Sequence, residues 1–211
     1  MPNIELLHID CMEYMKDLPD KAFDLAIVDP PYGIGKDGQL KTTGGNGGRK
    51  AHEFKGWDKS IPPASYFNEL KRVSENQIIW GANYYPFHLD SSMGWIFWDK
   101  GQRINQSDGE LAYSSFNRAL RVVEYNRVEL LKEGTIHPTQ KPIVLYRWLL
   151  HNYAKPGQRI LDTHLGSGSS AIAAHQMGFD FVGCELDEDY YKAACKRFKE
   201  QTMQGDLFRG R

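Results

Sequence analysis

The chain has 211 residues, 41% of them hydrophobic and 25% charged, with a formal net charge of −1. That balance suits a globular protein with one sizeable core, and the near-neutral charge provides no whole-molecule field that draws it to nucleic acid or membrane. No apolar run approaches the roughly 18 residues of a membrane span. The first residues lack the basic-then-apolar layout of a leader. Three widely spaced cysteines, Cys11, Cys184 and Cys195, fit neither a disulfide framework nor a metal site. A cytoplasmic protein without a bound metal is expected.

Along the chain, IELLHID (4–10) reads as a strand and CMEYMKDLP (11–19) as a short helix stopped by Pro19. FDLAIVD (23–29) is a second strand, and its continuous apolar run suits burial on both faces of a parallel sheet. Asp29 ends it, where open α/β sheets bind ligands. Pro30 and Pro31 then fix φ and offer no N–H, so the chain leaves stiffly towards Tyr32.

Residues 33–60 hold eight glycines and six cations, among them Lys36, Lys41, Arg49 and Lys50, against three acids. They read as a mobile loop that either closes over a phosphate backbone or is simply solvated surface. A helix (62–73) and strands near 76–82 and 94–100 follow. Residues 101–136 are poorly patterned, with short strands near 110–113 and 119–125. Another helix covers 141–154, and two strand-turn-helix units complete the chain up to a frayed tail from 201 to 211. Strand-helix alternation at both ends predicts an α/β fold with a mostly parallel sheet and helices on both faces, in a single domain.

In LDTHLGSGSSA (161–171), Gly166, Gly168 and Ala171 have the G-x-G-x-x-A spacing of a nucleoside-binding turn between strand and helix. Glu185 follows 19 residues after Gly166 at the next strand's end, where a carboxylate accepts hydrogen bonds from ribose hydroxyls. A dinucleotide would leave the DPPY stretch (29–32) unexplained. The acids Asp162, Glu185, Asp187, Glu188 and Asp189 suit a cationic ligand better, which favours S-adenosylmethionine.

DPPY (29–32), HPTQKP (137–142) and LGSGSS (165–170), with the stretches HIDCMEYMKDLPDKAFDLAIVDPPYG, IIWGANYY and GWIFWDK, resemble the amino-methylating DNA methyltransferases, particularly small phage and prophage members. The resemblance covers nearly the whole chain. Its motif order is similar to the β group, a circular permutation of the usual Rossmann-like methyltransferase sheet. Thr163 and His164 depart from the proline and phenylalanine commoner in the family's cofactor turn.

The resemblance implies transfer of a methyl group from S-adenosylmethionine to adenine N6 in double-stranded DNA, with the base flipped out. Cytosine N4 and a non-catalytic DNA binder are the alternatives. Asp29 and the Pro30 carbonyl would accept the two N–H bonds of the amine, Pro31 would hold them, and Tyr32 would stack on the base. Asp10, Cys11, Thr139, Lys141, Asp162, His164, Leu165, Gly166, Ser167, Gly168, Glu185 and Leu186 would line the cofactor. Asp10 suits a helix N-cap equally well. For DNA, the loop over 33–60 supplies its cations and Trp57, which either stacks on the base, wedges into the duplex or packs within the loop. Arg118, Arg121, Arg127 and Lys132 fall in 101–136, the candidate target-recognition region. A homodimer and a partner restriction nuclease are further expectations of the resemblance. No cysteine follows a proline, which argues against carbon methylation of cytosine by a thiolate.

Overall fold

The computed structural model describes residues 1–41, 51–102, 107–126 and 134–209. Among these residues eight strands form one sheet: β1 (Ile4–His8), β2 (Phe23–Val28), β3 (Ser74–Trp80), β4 (Ile96–Asp99), β5 (Gly109–Ser114), β6 (Arg121–Glu124), β7 (Arg159–Asp162) and β8 (Asp180–Glu185). Their order is β1-β8-β7-β2-β3-β5-β4-β6. Only β5 runs against its neighbours, β3 and β4; the other pairs are parallel. The expected mostly parallel α/β sheet is the one observed.

Among the described residues five α-helices pack on this sheet: α1 (Cys11–Lys16), α2 (Ala64–Val73), α3 (Ile143–Tyr153), α4 (Ser169–Met177) and α5 (Glu188–Arg209). The continuous apolar run of β2 divides between two cores. Leu25 and Ile27 face Trp80, Leu145, Leu149 and Ala173, whereas Ala26 and Val28 face Met15, Tyr66, Phe67 and Leu70. Helices thus cover both faces, as a doubly buried strand requires. In α2, Tyr66, Phe67, Leu70 and Val73 are buried, the single face expected from its spacing. Gly168 (φ 73°) and Gly178 (φ 81°) bracket α4 in left-handed conformations that a side chain would strain.

The short strand expected near 110–113 is β5, an interior strand whose pairing with β3 and β4 satisfies the backbone and buries Ala112, Tyr113 and Ser114. Where a frayed tail is expected from 201, α5 continues through Arg209, and the Thr202 hydroxyl donates back to the Phe198 carbonyl (2.8 Å). Among the described residues no helix is long and apolar enough to cross a membrane.

β2 and β7 lie side by side, with Leu25 opposite Ile160 and Ala26 opposite Leu161. From β2 the chain passes through α2 to β3 on one side, and from β7 through α4 to β8 on the other. Their carboxyl ends therefore border the crevice where a switch in strand order leaves room for a ligand.

Candidate active site

A cavity of about 590 Å³ opens at this crevice, lined by Asp29 to Tyr32 after β2, Thr163 to Ser167 after β7, and Glu185 to Asp187 after β8. The segment after β2 is held by Asp58, which is 2% exposed. Its carboxylate accepts from the backbone N–H groups of Tyr32 (2.7 Å), Gly33 (2.8 Å) and Lys36 (2.7 Å). Three charge-assisted bonds to one carboxylate fix the turn that presents Asp29 and Tyr32.

Asp29 stands at the centre of a charged cluster. Its Oδ1 accepts from the Tyr32 hydroxyl (2.5 Å), and its Oδ2 pairs with the Lys141 ammonium. Lys141, 3% exposed, also reaches Glu110 Oε2 (3.1 Å) and the Tyr32 oxygen (3.2 Å). Lys100 holds the other oxygen of Glu110 (2.7 Å). Burial pushes the Asp29 carboxyl above its usual range, opposed by Lys141. Burial acts likewise on Glu110, but Lys141 and Lys100 outweigh it and hold that group down to about 2. Against its own burial, Lys141 is held above the ordinary lysine range by Asp29 and Glu110. The Tyr32 ring stacks on Tyr84 (5.0 Å between centroids, 14°) and lies so close over Gly81 that a Cβ there would stand 2.0 Å from Tyr32 Cε1.

Across the cavity, Gly166 (φ 52°) turns the backbone so that its N–H donates to Glu185 Oε2 (2.8 Å), while Asp187 N–H donates to Oε1 (2.9 Å). Each Glu185 oxygen keeps a lone pair for a ligand. Burial raises the Glu185 carboxyl above its usual range. Behind it, buried Asp162 accepts from the Ser170 hydroxyl (2.6 Å) and His164 N–H (3.0 Å), and burial pushes its carboxyl up to about 7. The two departures in this turn belong together: the Thr163 hydroxyl meets both His164 Nδ1 (2.9 Å) and the Tyr66 hydroxyl (2.7 Å). Burial pushes His164 down to about 4, so its ring is neutral at pH 7. Leu165, packed within the core, donates its N–H to the Cys184 carbonyl. Ser167 offers its carbonyl to Arg197 (2.9 Å).

Asp10 caps α1 by accepting from Met12 N–H (2.7 Å) and also lines the cavity. Cys11 lines the same wall as a neutral thiol, burial pushing it up to about 12. Leu186 lines the mouth with an exposed side chain. The site has room for a nucleoside bearing an amino-acid arm, and the carboxylates of Asp10 and Glu185 match a cation. The residues present therefore fit S-adenosylmethionine.

Thr139 and Lys141 both line the cavity. Lys141 also lies on Asp29, because two buried carboxylates need a counter-charge. Thr139, in the same segment, directs its N–H (3.3 Å) and hydroxyl (3.1 Å) to His137 Nδ1. Trp57 stacks on His137 (5.3 Å, 29°) and lines the cavity. Arg118 is tied to α3: its guanidinium donates to the Asn152 carbonyl and covers the Tyr153 ring (4.7 Å). Arg121 is exposed on edge strand β6, and Lys36 and Lys41 are exposed after Tyr32. Arg49, Lys50, Arg127 and Lys132 lie outside the described residues.

Lys55, one of the loop cations, pairs with Asp187 (2.7 Å) and Asp189 (2.7 Å) and pins the loop across the cavity mouth. Those two acids are therefore not free to attract a cationic ligand. Asp58, Glu110, Lys100 and His137 were missed as site residues. The sequence marks Asp58 and Glu110 only as acids among polar neighbours, and nothing local pairs them with residues 22 to 31 positions away.

A family model described as DNA methylase matches residues 79–196. The type II methyltransferase M.HinfI of Haemophilus influenzae is 25% identical, covering 92% of this chain and 68% of that protein. Among solved structures, the M1.HpyAVI–SAM complex superposes with a TM-score of 0.63 at 21% identity, covering 92% of this chain and 99% of that one. The PvuII DNA methyltransferase, described as cytosine-N4-specific, gives 0.62 at 11% identity, covering 96% and 91%.

Proposed function

The chain belongs to the N6/N4 DNA methylase family, and on that premise we propose that it transfers the methyl group of S-adenosylmethionine to the N6 amine of adenine in double-stranded DNA. One observation carries the reading: a carboxylate followed by two prolines and a tyrosine shares a cavity with a glycine turn and the Glu185 carboxylate.

S-adenosylmethionine, when bound, supplies an electrophilic methyl group on a cationic sulfur. Glu185 accepts hydrogen bonds from the ribose hydroxyls with the lone pairs left by Gly166 and Asp187. The turn over Leu165, Gly166 and Ser167 lets the backbone approach without side-chain bulk, and His164 offers a neutral ring to the same wall. Asp10 and Cys11 bound the opposite side.

Asp29 and the Pro30 carbonyl accept the two N–H bonds of the target amine. This biases the nitrogen towards a pyramidal form with its lone pair free to attack. The raised affinity of Asp29 for a proton strengthens its acceptance from the amine. The nitrogen lone pair would take the methyl carbon as the carbon–sulfur bond breaks and its pair passes to sulfur, leaving a neutral thioether, and Asp29 would relay one proton from the resulting cationic nitrogen to water. Tyr32, braced by Tyr84 and Gly81, stacks on the flipped base. Lys36 and Lys41 meet the phosphate backbone.

Unmethylated DNA is incubated with the protein and methyl-labelled S-adenosylmethionine, then digested to nucleosides. Label in N6-methyldeoxyadenosine is the expected result. Label in N4-methyldeoxycytidine keeps the enzyme class and overturns the choice of base; no label in DNA overturns the reading.

A further inference from the structure

A second cavity, of about 750 Å³, adjoins the first, and the two share Tyr32, Lys36, Thr139, Gln140 and Lys141. Asp29 lines only the first and Glu110 only the second, while the Lys141 ammonium touches both carboxylates. Lys141 and the Tyr32 hydroxyl therefore stand in the partition, where a base presented from one side would meet a cofactor held on the other. Resting on the function proposed above, we propose that Lys141 is a substrate-reading residue. Its ammonium donates to the ring nitrogen beside the target amine, so that Asp29 and Lys141 together select an amino base by its Watson–Crick edge.

The hydrogen-bond inventory supports an exchange. The three N–H bonds of Lys141 face Asp29 Oδ2, Glu110 Oε2 and the Tyr32 oxygen, so none is spare while the site is empty of base. When the amine N–H donates to Asp29, it displaces one Lys141 N–H. The ring nitrogen of the same base, next to the amine, is the acceptor within reach of that freed donor. The exchange removes one bond and forms two, leaving no buried donor or acceptor unpaired.

Chemistry sets the selectivity. Adenine shows the amine donor beside the N1 acceptor, and cytosine shows its amine beside N3. Guanine and thymine present a carbonyl beside an N–H, which would set oxygen against the Asp29 carboxylate and a donor against the ammonium. Glu110, itself anchored by Lys100, keeps Lys141 in place once Asp29 has turned to the amine. Glu110 is thus a positioning residue, and β5, an interior strand that delivers it, has a part in substrate choice.

The test compares duplexes carrying adenine, 1-deazaadenine or 7-deazaadenine at the methylated position, once the labelling experiment has located it. Wild-type kcat/KM is expected to fall about 10- to 100-fold for 1-deazaadenine, the range of one lost hydrogen bond to a charged donor, and to change little for 7-deazaadenine. In Lys141→Met, adenine and 1-deazaadenine should react at similar, reduced rates. Glu110→Gln should narrow the difference part of the way. Calorimetric binding of S-adenosylmethionine to each variant reports an intact fold. If the labelled base is cytosine, 3-deazacytosine takes the place of 1-deazaadenine. Equal wild-type rates on the two substrates overturn the proposal while leaving the methyltransferase reading intact. So does a Lys141→Met enzyme that still discriminates. Absence of methyl transfer to any base overturns both.

Discussion

Asp58 is the residue on which the geometry of the catalytic segment depends most, and Asp58→Ala is the perturbation that isolates it. The side chain is 2% exposed and accepts three backbone N–H groups at 2.7–2.8 Å. Hydrogen bonds to a charged acceptor contribute about 1.5–3 kcal/mol each when buried. Three to one carboxylate do not add fully, and the exposed Gly33 and Lys36 regain water when it is removed. The expected cost is therefore about 2–4 kcal/mol. Asp58→Asn keeps one oxygen for Tyr32 and Gly33 but turns an NH2 towards Lys36 N–H, so it should cost about half as much. Urea unfolding measures the loss, and single-turnover transfer reads its consequence. Because Tyr32 N–H is one of the three donors, transfer should slow about 10-fold or more in the alanine variant. Cofactor affinity should hold nearly constant, since the glycine turn is untouched. An Asp58→Ala protein with an unchanged urea midpoint and normal transfer would refute the view that this carboxylate sets the segment.

Gly81→Ala should displace the Tyr32 ring, because the added Cβ meets it at 2.0 Å and the site's φ of 68° disfavours a side chain; a crystal structure with Tyr32 unmoved and normal transfer would contradict this. Glu185→Ala is expected to weaken S-adenosylmethionine binding by roughly 1–3 kcal/mol through lost charged hydrogen bonds, and unaltered calorimetric affinity would remove Glu185 from the site. Asp162 predicts a pH signature. Its folded carboxyl sits at about 7 against 3.8 for the ordinary group, so the native state keeps a proton that the unfolded chain releases. Stability from this group is complete below pH 4 and is lost as pH rises to 7, by up to about 4 kcal/mol. Asp162→Asn cannot titrate and retains partners for Ser170 and His164. Urea unfolding at pH 5 and pH 8 should show the variant gaining on the wild type at the higher pH, and parallel behaviour would contradict the assignment.

The parts of the site legible in the sequence were those encoded by contiguous residues. Leu25 to Val28 gave a doubly buried strand because an unbroken apolar run has no other stable place in a sheet of this class. Gly166 and Gly168 marked a turn because their positive φ values exclude most side chains. Glu185 followed from its spacing to that turn. What stayed hidden were choices of partner between distant segments. Lys55 reads in sequence as a cation for phosphate, yet its ammonium closes on Asp187 and Asp189, more than 130 residues on. Arg118 reads only as a cation in the candidate target-recognition region, and its hydrogen bond to the Asn152 carbonyl of α3 is not legible in the sequence. The short strand near 110–113 is legible, but nothing in its sequence pairs Glu110 with Lys100 and Lys141. Charge counted locally cannot foresee neutralisation across the fold.

The central claim, that Asp29 orients the accepting amine, is tested most directly by measuring S-adenosylmethionine affinity and the single-turnover methyl-transfer rate together in Asp29→Ala. The account predicts cofactor affinity close to wild type, because Glu185 and the glycine turn are intact, with transfer slowed by at least about 100-fold for want of the preorganised acceptor. Near-normal transfer by a variant that binds the cofactor would contradict it.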